Sequence, residues 1–553
     1  MEPRLKALIQ ASLETLAKEK RTELPAGFDF DLSIAKDPAH GDYSTNAAFR
    51  FAKVLRTNPK TLAEEFRKVL AAETAARKLV FLERTESAGS GFINFFLKKG
   101  ALASTLKDLR RQDERFGASD FGQGKKVLLE YVSANPTGPL TVAHGRQAAI
   151  GDSLARILAF TGHAVYREYY LNDAGRQIRI LGESLWARYR EALGREAPLP
   201  EDGYRGAYLV ALAKKLAAEK KDSLLANEAE GLRFCTAYAK DAMMKTIESD
   251  LASFRVEFDR YFSESSLYQN GEVEKSLEAL RGNGYLYESE GALWFKSTDF
   301  GDDKDRVLRK SIGEYTYLSP DIAYHRHKFE RGHQMLVNLW GPDHHGYIPR
   351  LVAACKALGF TDRAVVVRIV QLVTLYRDGQ PVRMSTRAGE FVTLQELMEE
   401  VGVDAARFFF IMRRVESPLD FDLDLAKQKS QDNPVYYLQY AHARIASLLK
   451  FANRKIPDEA AWELLSAPEE TALIKTLTDL PPILVQASQM LEPYRLADYL
   501  REVATAFHKF YSLHRIVTED EARTQARLVL ADATRIVLRN GLRLLGISQP
   551  ESM

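Results

Sequence analysis

The sequence predicts a multidomain α/β protein, and three observations carry that expectation. Between Val127 and Asp152, VLLEYVSANPTGPLTVAHGRQAAIGD, an apolar run breaks at a Pro/Gly turn and opens a helix of small residues. Apolar strand-like runs then alternate with helical stretches as far as about residue 375, the pattern of a parallel sheet built from βαβ units. From about residue 431 onward apolar residues recur every three or four positions, as in Leu496, Leu500, Val503, Phe507 and Phe510, which predicts helices packing through one face.

Composition bounds the class. A chain of 553 residues holds about three to four domains of ordinary size. With 46% hydrophobic and 27% charged residues it reads as globular and not as disordered. A formal net charge of +2 excludes a global basic signature, so any nucleic-acid contact has to come from local faces. Cys235 and Cys355 stand far apart without CxxC or His spacing, which predicts reduced, buried thiols in place of zinc or a disulfide framework. The N-terminal MEPRLKALIQASLETLAKEK is amphipathic and mixed in charge, unlike a signal peptide, and no run approaches membrane length. A cytoplasmic enzyme without membrane attachment is the expectation.

Residues 1–112 predict a small α+β module: helices, a polar loop HGDYSTNAAF at His40–Phe49, and a strand in GSGFINFFL at Gly89–Leu97. From 113 to 380 the strand–turn–helix at Val127–Asp152 and the β-rich HAVYREYYLNDAG at His163–Gly175 predict a Rossmann-like catalytic domain. A charged helical insertion interrupts it over about 181–290, after which the sheet is expected to resume at Gly291–Lys310, Tyr315–Phe329, Gln334–Ala354 and Ala364–Leu375. Residues 381–430 connect to a helical bundle over 431–553.

The turn before the helix at Val142 aims backbone N–H groups and a positive dipole end at whatever lies above it, which suits a nucleotide phosphate. Its wording is neither GxGxxG nor GxxxxGK[ST], which sets aside dinucleotide fingerprints and P-loop NTPases. Thr141-Val142-Ala143-His144 resembles the first signature of class I aminoacyl-tRNA synthetases, His-[Ile/Val]-Gly-His, with two positions changed. The upstream EYVSANPTGPL resembles the arginyl-tRNA synthetase form. Arg383-Met384-Ser385-Thr386-Arg387-Ala388-Gly389 resembles the second signature, Lys-Met-Ser-Lys-Ser, as the arginine enzymes run it on into Arg-Ala-Gly. The resemblance covers nearly the whole chain.

That resemblance implies activation of L-arginine by ATP to arginyl-adenylate, then transfer to the 3′-terminal adenosine of tRNA-Arg. Thr141, Ala143, His144, Gly145, Met384 and Ser385 would contact ATP, and His144, Thr141, Arg383 and Arg387 would stabilise charge developing on the phosphates. Thr386 cannot supply a cation, so another group must replace the signature lysine. Mg²⁺ would be carried by ATP, with no dedicated protein metal site. Glu130 and Asn135 before the first signature, and Tyr317 and Asp321 four apart, match the family's arginine-binding positions; carboxylates and flat acceptors are what a guanidinium requires. Asn46 and Tyr436 are implied as tRNA contacts, and the chain is expected to act as a monomer.

Each residue has a plainer reading. Glu130 alone is a strand-end charge, Asn135 a turn residue before Pro136, and Asp321 a helix cap beside Pro320; their joint family spacing favours the pocket. Tyr436 and Tyr440 at helical spacing are core residues or base-stacking platforms. Gly341-Pro342-Asp343-His344-His345-Gly346 reads as a loop beside the nucleotide more than as a metal site. His325 and His327 read as solvent or packing residues on a helix. Two rivals to the ligase remain at this point, a tRNA-binding paralogue without catalysis and a class I-like ligase that transfers arginine to another acceptor.

Overall fold

The computed structural model describes residues 1–35, 37–79, 81–360, 364–382 and 392–553. Residues 383–391, with Arg383, Met384, Ser385 and Arg387, lie outside that description.

The N-terminal module packs helices α1 (Glu2–Glu19), α2 (Ala47–Leu55) and α3 (Pro59–Ala76) on a four-stranded antiparallel sheet ordered β1 (Leu32–Ile34), β2 (Tyr43–Thr45), β4 (Phe92–Leu97), β3 (Leu82–Ala88). Asn58 caps α3 by accepting from the N–H groups of Lys60 and Thr61. Helix α4 (Thr105–Gln112) leads into the central domain.

There, β5 (Lys126–Glu130), helix α5 (Val142–Phe160), β6 (Ala164–Leu171), β7 (Arg260–Ser263), β11 (Met335–Trp340) and β12 (Ala364–Ile369) form one layer system. Its five-stranded sheet is ordered β12-β11-β5-β6-β7 and every pairing is parallel. Strand order reverses between β5 and β11, and in such sheets the crevice at the carboxyl ends of the strands on either side of the reversal is where ligands bind. Glu130, the last residue of β5, is in register with Asn338 of β11 on one side and Glu168 of β6 on the other.

Helix α5 is buried nearly all round, which its small residues permit: a Cβ at Gly151 would lie 2.3 Å from the Tyr131 ring. The insertion is α6 (Arg176–Ala192), α7 (Ala207–Lys220) and α8 (Glu228–Ser253), which enclose their own core around Leu185, Trp186 and Cys235.

Two expectations for the middle of the chain are corrected. The sheet resumes at β7, before residue 290, because Glu168–Leu171 offer a free edge that Arg260–Ser263 join in parallel. After α9 (Ser265–Gln269) and α10 (Glu272–Gly282), residues 286–309 form a separate antiparallel sheet of β8 (Leu286–Ser289), β9 (Ala292–Phe295) and β10 (Arg306–Arg309). Tyr315–Phe329 is mostly helix α11 (Leu318–Glu330), not strand; Tyr324 and Phe329 bury one side of it.

Beyond α12 (Ile348–Ala357), strands β13 (Val373–Arg377), β14 (Gln380–Pro381) and β15 (Leu419–Asp422) make a small sheet beside helices α13 (Leu394–Val401), α14 (Val403–Ile411) and α15 (Leu423–Lys427). The C-terminal bundle comprises α16 (Pro434–Ala452), α17 (Pro468–Thr478), α18 (Leu480–Met490), α19 (Tyr494–Leu513) and α20 (Glu521–Leu544). Its core is continuous with those of the N-terminal module and of α5. Fully buried Arg407 on α14 joins them: its guanidinium donates to Asp152 of α5 at 2.5 Å, to the Phe254 carbonyl at 2.9 Å and to the Leu545 carbonyl at 3.0 Å. Gly546, at φ +68°, lets the chain pass that close, since a Cβ there would lie 2.3 Å from Arg407 Nη2. Both cysteines are buried and unbonded to each other. Among the described residues no helix is long and apolar enough to cross a membrane.

Candidate active site

The loop leaving β5 turns through two non-glycine residues in the left-handed region, Val132 at φ +68° and Ser133 at φ +40°. A β-branched residue there is strained, and such strain collects at sites that need a particular backbone path. The turn is held from outside: Tyr169 donates to the Ala134 carbonyl at 2.7 Å and Tyr208 to that of Thr137 at 2.5 Å.

At the N-terminus of α5, Thr141 is the extended N-cap residue. Its backbone N–H donates to His144 Nδ1 at 3.1 Å, and its hydroxyl lies 3.2 Å from the same nitrogen. With Nδ1 accepting, the proton of the neutral ring sits on Nε2, which is left to donate outward. Burial lowers the His144 pKa to about 4, so the ring is uncharged near neutrality. Ala143 is exposed on the first turn. Gly145 is buried, and a Cβ there would lie 2.7 Å from Leu394 and 3.0 Å from Phe410, so its bareness serves helix packing. The far flank of the undescribed 383–391 segment returns to this point, because Thr393 bridges Thr141 and the Leu394 N–H donates to the Leu140 carbonyl at 2.8 Å.

Beside this helix end, carboxylates from three elements converge: Glu130 at the end of β5, Glu264 after β7 and Asp321 in the first turn of α11. Burial raises the Asp321 pKa to about 7; repulsion from Glu264 and Glu130 adds to it, while Tyr347 and Lys328 oppose it. Glu264 is also raised, by burial first and by Asp173 second, against hydrogen bonding from Tyr170 and Tyr268. The buried hydroxyls of Tyr170 and Tyr347 lie beside these acids yet make no well-formed hydrogen bond among the described residues. Acids held up by desolvation gain by ionising beside a cationic donor group.

Behind them runs a buried polar chain. Lys328 Nζ donates to Glu130 Oε2 at 2.5 Å and to Asn338 Oδ1 at 3.2 Å. Asn338 Nδ2 lies 2.9 Å from His325 Nε2, and His325 Nδ1 lies 2.9 Å from the Asp321 carbonyl. His325 is therefore a member of the network, not the solvent or packing residue expected. Ser133 donates to the other oxygen of Glu130 at 3.1 Å.

Of the four residues expected around a guanidinium, Glu130 and Asp321 are thus brought together. Asn135 is half-buried and donates to Gln177 at 2.6 Å. Tyr317 immediately precedes α11 and is 77% exposed, and Tyr347 stands beside Asp321. Glu264, Tyr347 and Lys328 were missed; only the joint presence of acid, tyrosine and lysine near the family positions could have suggested them. Asn46 spends its amide on Asp31, accepting from its N–H at 2.8 Å, so it shapes the turn. The surface beside it presents Phe49 stacked with the exposed Phe92, their centroids 6.3 Å apart, and Lys53 over Phe49. Tyr436 is half-buried and nearly parallel to Tyr440, 6.1 Å away, with Arg444 over Tyr440 and Tyr511. His344 in the Gly341–Gly346 turn packs on Trp340.

Comparison with known proteins agrees with this geometry. Residues 3–97 match the model of the arginyl tRNA synthetase N terminal domain, 105–413 that of the class I (R) tRNA synthetase catalytic domain, and 438–553 that of the DALR anticodon binding domain. The chain is 49% identical to an arginine–tRNA ligase of Desulfosudis oleivorans and 45% identical to that of Bacillus subtilis, covering all of itself in both, and 100% and 99% of those proteins. Arginyl-tRNA synthetase from Thermus thermophilus has the same fold, with a TM-score of 0.76 at 23% identity over 99% of this chain and 100% of that one.

Proposed function

Because this chain belongs to the arginyl-tRNA synthetase family, we propose that its arginine pocket is the space enclosed by Glu130, Glu264 and Asp321, with the α5 N-terminus as its nucleotide cradle. The chain is a class I arginine–tRNA ligase whose substrates are ATP, L-arginine and tRNA-Arg. The single observation supporting the pocket is the convergence of three carboxylates at the carboxyl edge of the sheet, beside two buried tyrosine hydroxyls without well-formed hydrogen bonds.

The residues then divide the work. Glu130, Glu264 and Asp321 take the guanidinium, whose planar donor fork matches carboxylate oxygens. Asn135 is placed to meet the polar end of the substrate. The arginine carboxylate attacks the α-phosphate, and the negative charge that gathers on the phosphate oxygens meets the His144 Nε2–H, the Thr141 hydroxyl and the N–H groups opening α5. Arg383 and Arg387, outside the described residues, would neutralise the departing pyrophosphate. No side-chain nucleophile is needed, so the rate derives from positioning and charge. Mg²⁺ would ride on the triphosphate, whose own oxygens suit it.

For tRNA, the half-buried face of Tyr436, Tyr440 and Arg444 offers splayed anticodon bases stacking surfaces, and the Phe49–Phe92 surface near Asn46 faces the outer corner. Buried free thiols fit a cytoplasmic setting, and we take the monomer as the working unit.

The test is arginine-dependent pyrophosphate exchange followed by transfer of labelled arginine. Asp321→Ala is expected to abolish exchange and leave tRNA binding near normal. Equal loss of both would remove the pocket assignment; exchange without transfer in the unmodified chain would mean another acceptor.

A further inference from the structure

The buried chain behind the pocket is more than is needed to bind a guanidinium. Lys328 is fully buried, 3.9 Å above the Tyr324 ring, and its ammonium touches no solvent. It does not serve the other acid nearby, because Glu168 is already held by Arg331 through two bonds of 2.6 and 2.7 Å and by the Tyr324 hydroxyl at 2.8 Å. Among the described residues its ion-pair partner is Glu130.

The geometry has two effects. First, one oxygen of Glu130 is taken by Lys328 and the other receives a single hydroxyl from Ser133, so the carboxylate has one orientation and one lone-pair direction left to offer on each oxygen. Second, the chain passes from Lys328 through Asn338 of β11 to His325 and ends on the backbone carbonyl of Asp321. Asn338 donates to His325 Nε2, which leaves Nδ1–H to donate to that carbonyl, and burial keeps the ring neutral. The carbonyl belongs to the residue whose side chain faces Glu130. One continuous set of bonds therefore sets Glu130 on β5 and Asp321 on α11 at a fixed separation.

We propose that Lys328 is a positioning residue for arginine recognition: its ammonium pins Glu130 and, through Asn338 and His325, the turn carrying Asp321, so that the two carboxylates meet the guanidinium fork without rearranging. This rests on the pocket assigned above. Lys328 touches neither substrate nor the reacting atoms. Its removal acts on arginine binding and not on the nucleotide, because preorganisation governs how much of the contact energy reaches affinity.

The experiment measures KM for arginine, KM for ATP and kcat by pyrophosphate exchange with the full chain and bulk tRNA, for Lys328→Met, His325→Gln and Asp321→Asn, with thermal unfolding of each. Lys328→Met is expected to raise KM for arginine about tenfold or more, with KM for ATP within about twofold. His325→Gln breaks the chain without leaving a buried charge and is expected to raise KM for arginine about threefold, which keeps the test decisive if Lys328→Met does not fold. If either folded variant moves both KM values equally, or lowers the unfolding temperature with KM for arginine unchanged, Lys328 is structural only and the proposal is overturned. Asp321→Asn separates the two levels: an unchanged KM for arginine in that variant would refute the pocket itself, whereas a large rise beside an unaffected Lys328→Met would refute only the role of Lys328.

Discussion

Thr141 and Thr393 face one another across an isolated antiparallel bridge, which ties the first turn of α5 to the start of α13. Thr393 also closes a capping box: its hydroxyl accepts from the Glu396 N–H at 3.1 Å while Glu396 accepts from the Thr393 N–H at 2.8 Å. Thr393→Ala should therefore cost about 1 kcal/mol of stability and loosen the anchor of the cationic segment. The expected readout is a several-fold rise in KM for ATP with KM for arginine unchanged; a shift confined to arginine would contradict the link.

His144 acts as a neutral donor, so His144→Ala should lower kcat of exchange by about 10²–10³, the usual cost of losing one donor to developing charge. Its folded pKa, about 4, lies below the ordinary 6.5. The associated stability is complete above pH 6.5 and is lost as pH falls through 4. Between pH 7 and 8 the rate profile should show no limb from this ring, and histidine NMR titration would reveal one if the ring were charged there.

Asp321 has the opposite sign. Its folded pKa, about 7, is above the ordinary 3.8, so the stability it contributes to the empty chain is present below pH 3.8 and lost as pH rises through 7. A guanidinium prefers the ionised form, so arginine affinity should climb between pH 6 and 8 and binding should release a proton near pH 6. Calorimetry in buffers of different ionisation heat counts that proton; the Asp321→Asn variant should release none.

Gly145 and Ala143 should respond oppositely to exchange of their side chains. Gly145→Ala drives a methyl into Leu394 and Phe410 and should cost about 1–3 kcal/mol. Ala143→Gly, on the exposed side of the same turn, should cost under about 1 kcal/mol and tighten ATP, since it clears the backbone for the base. Denaturant unfolding and KM for ATP check both.

Arg407→Met should cost about 1–3 kcal/mol by taking the buried donor from the Phe254 and Leu545 carbonyls and leaving Asp152 with Arg156 as its ion-pair partner, and adding Asp152→Asn should recover part of it. Because Arg407 also holds the Leu545 carbonyl, the bundle and α5 are expected to separate into two unfolding transitions in the single variant.

The fold was largely legible because its signals are local. The turn at Asn135–Pro139 and the small residues of α5 announce a strand feeding a phosphate-facing helix whatever surrounds them, and the three-to-four residue period of Tyr494–Tyr511 announces α19. Strand-like apolar runs misled at Gly291–Lys310, since a short β segment does not say which sheet it joins; β8–β10 pair among themselves.

The candidate site was legible only in part. Glu130 and Asp321 could be named from the family resemblance, but that resemblance did not tell which other side chains pack beside Asp321, where Tyr347 stands. Glu264 reaches the site because β7 joins β6, and Lys328 because α11 packs over β5. Sequence by itself determined most of the elements, the helix N-terminus that opens after β5 and the identity of the available charges, because those follow from bonds and periods within a few residues. Which charges share one desolvated space was decided only by the tertiary structure, because the energy of a carboxylate depends on what excludes water from it, and here those groups come from residues as far apart in the chain as Glu130 and Lys328.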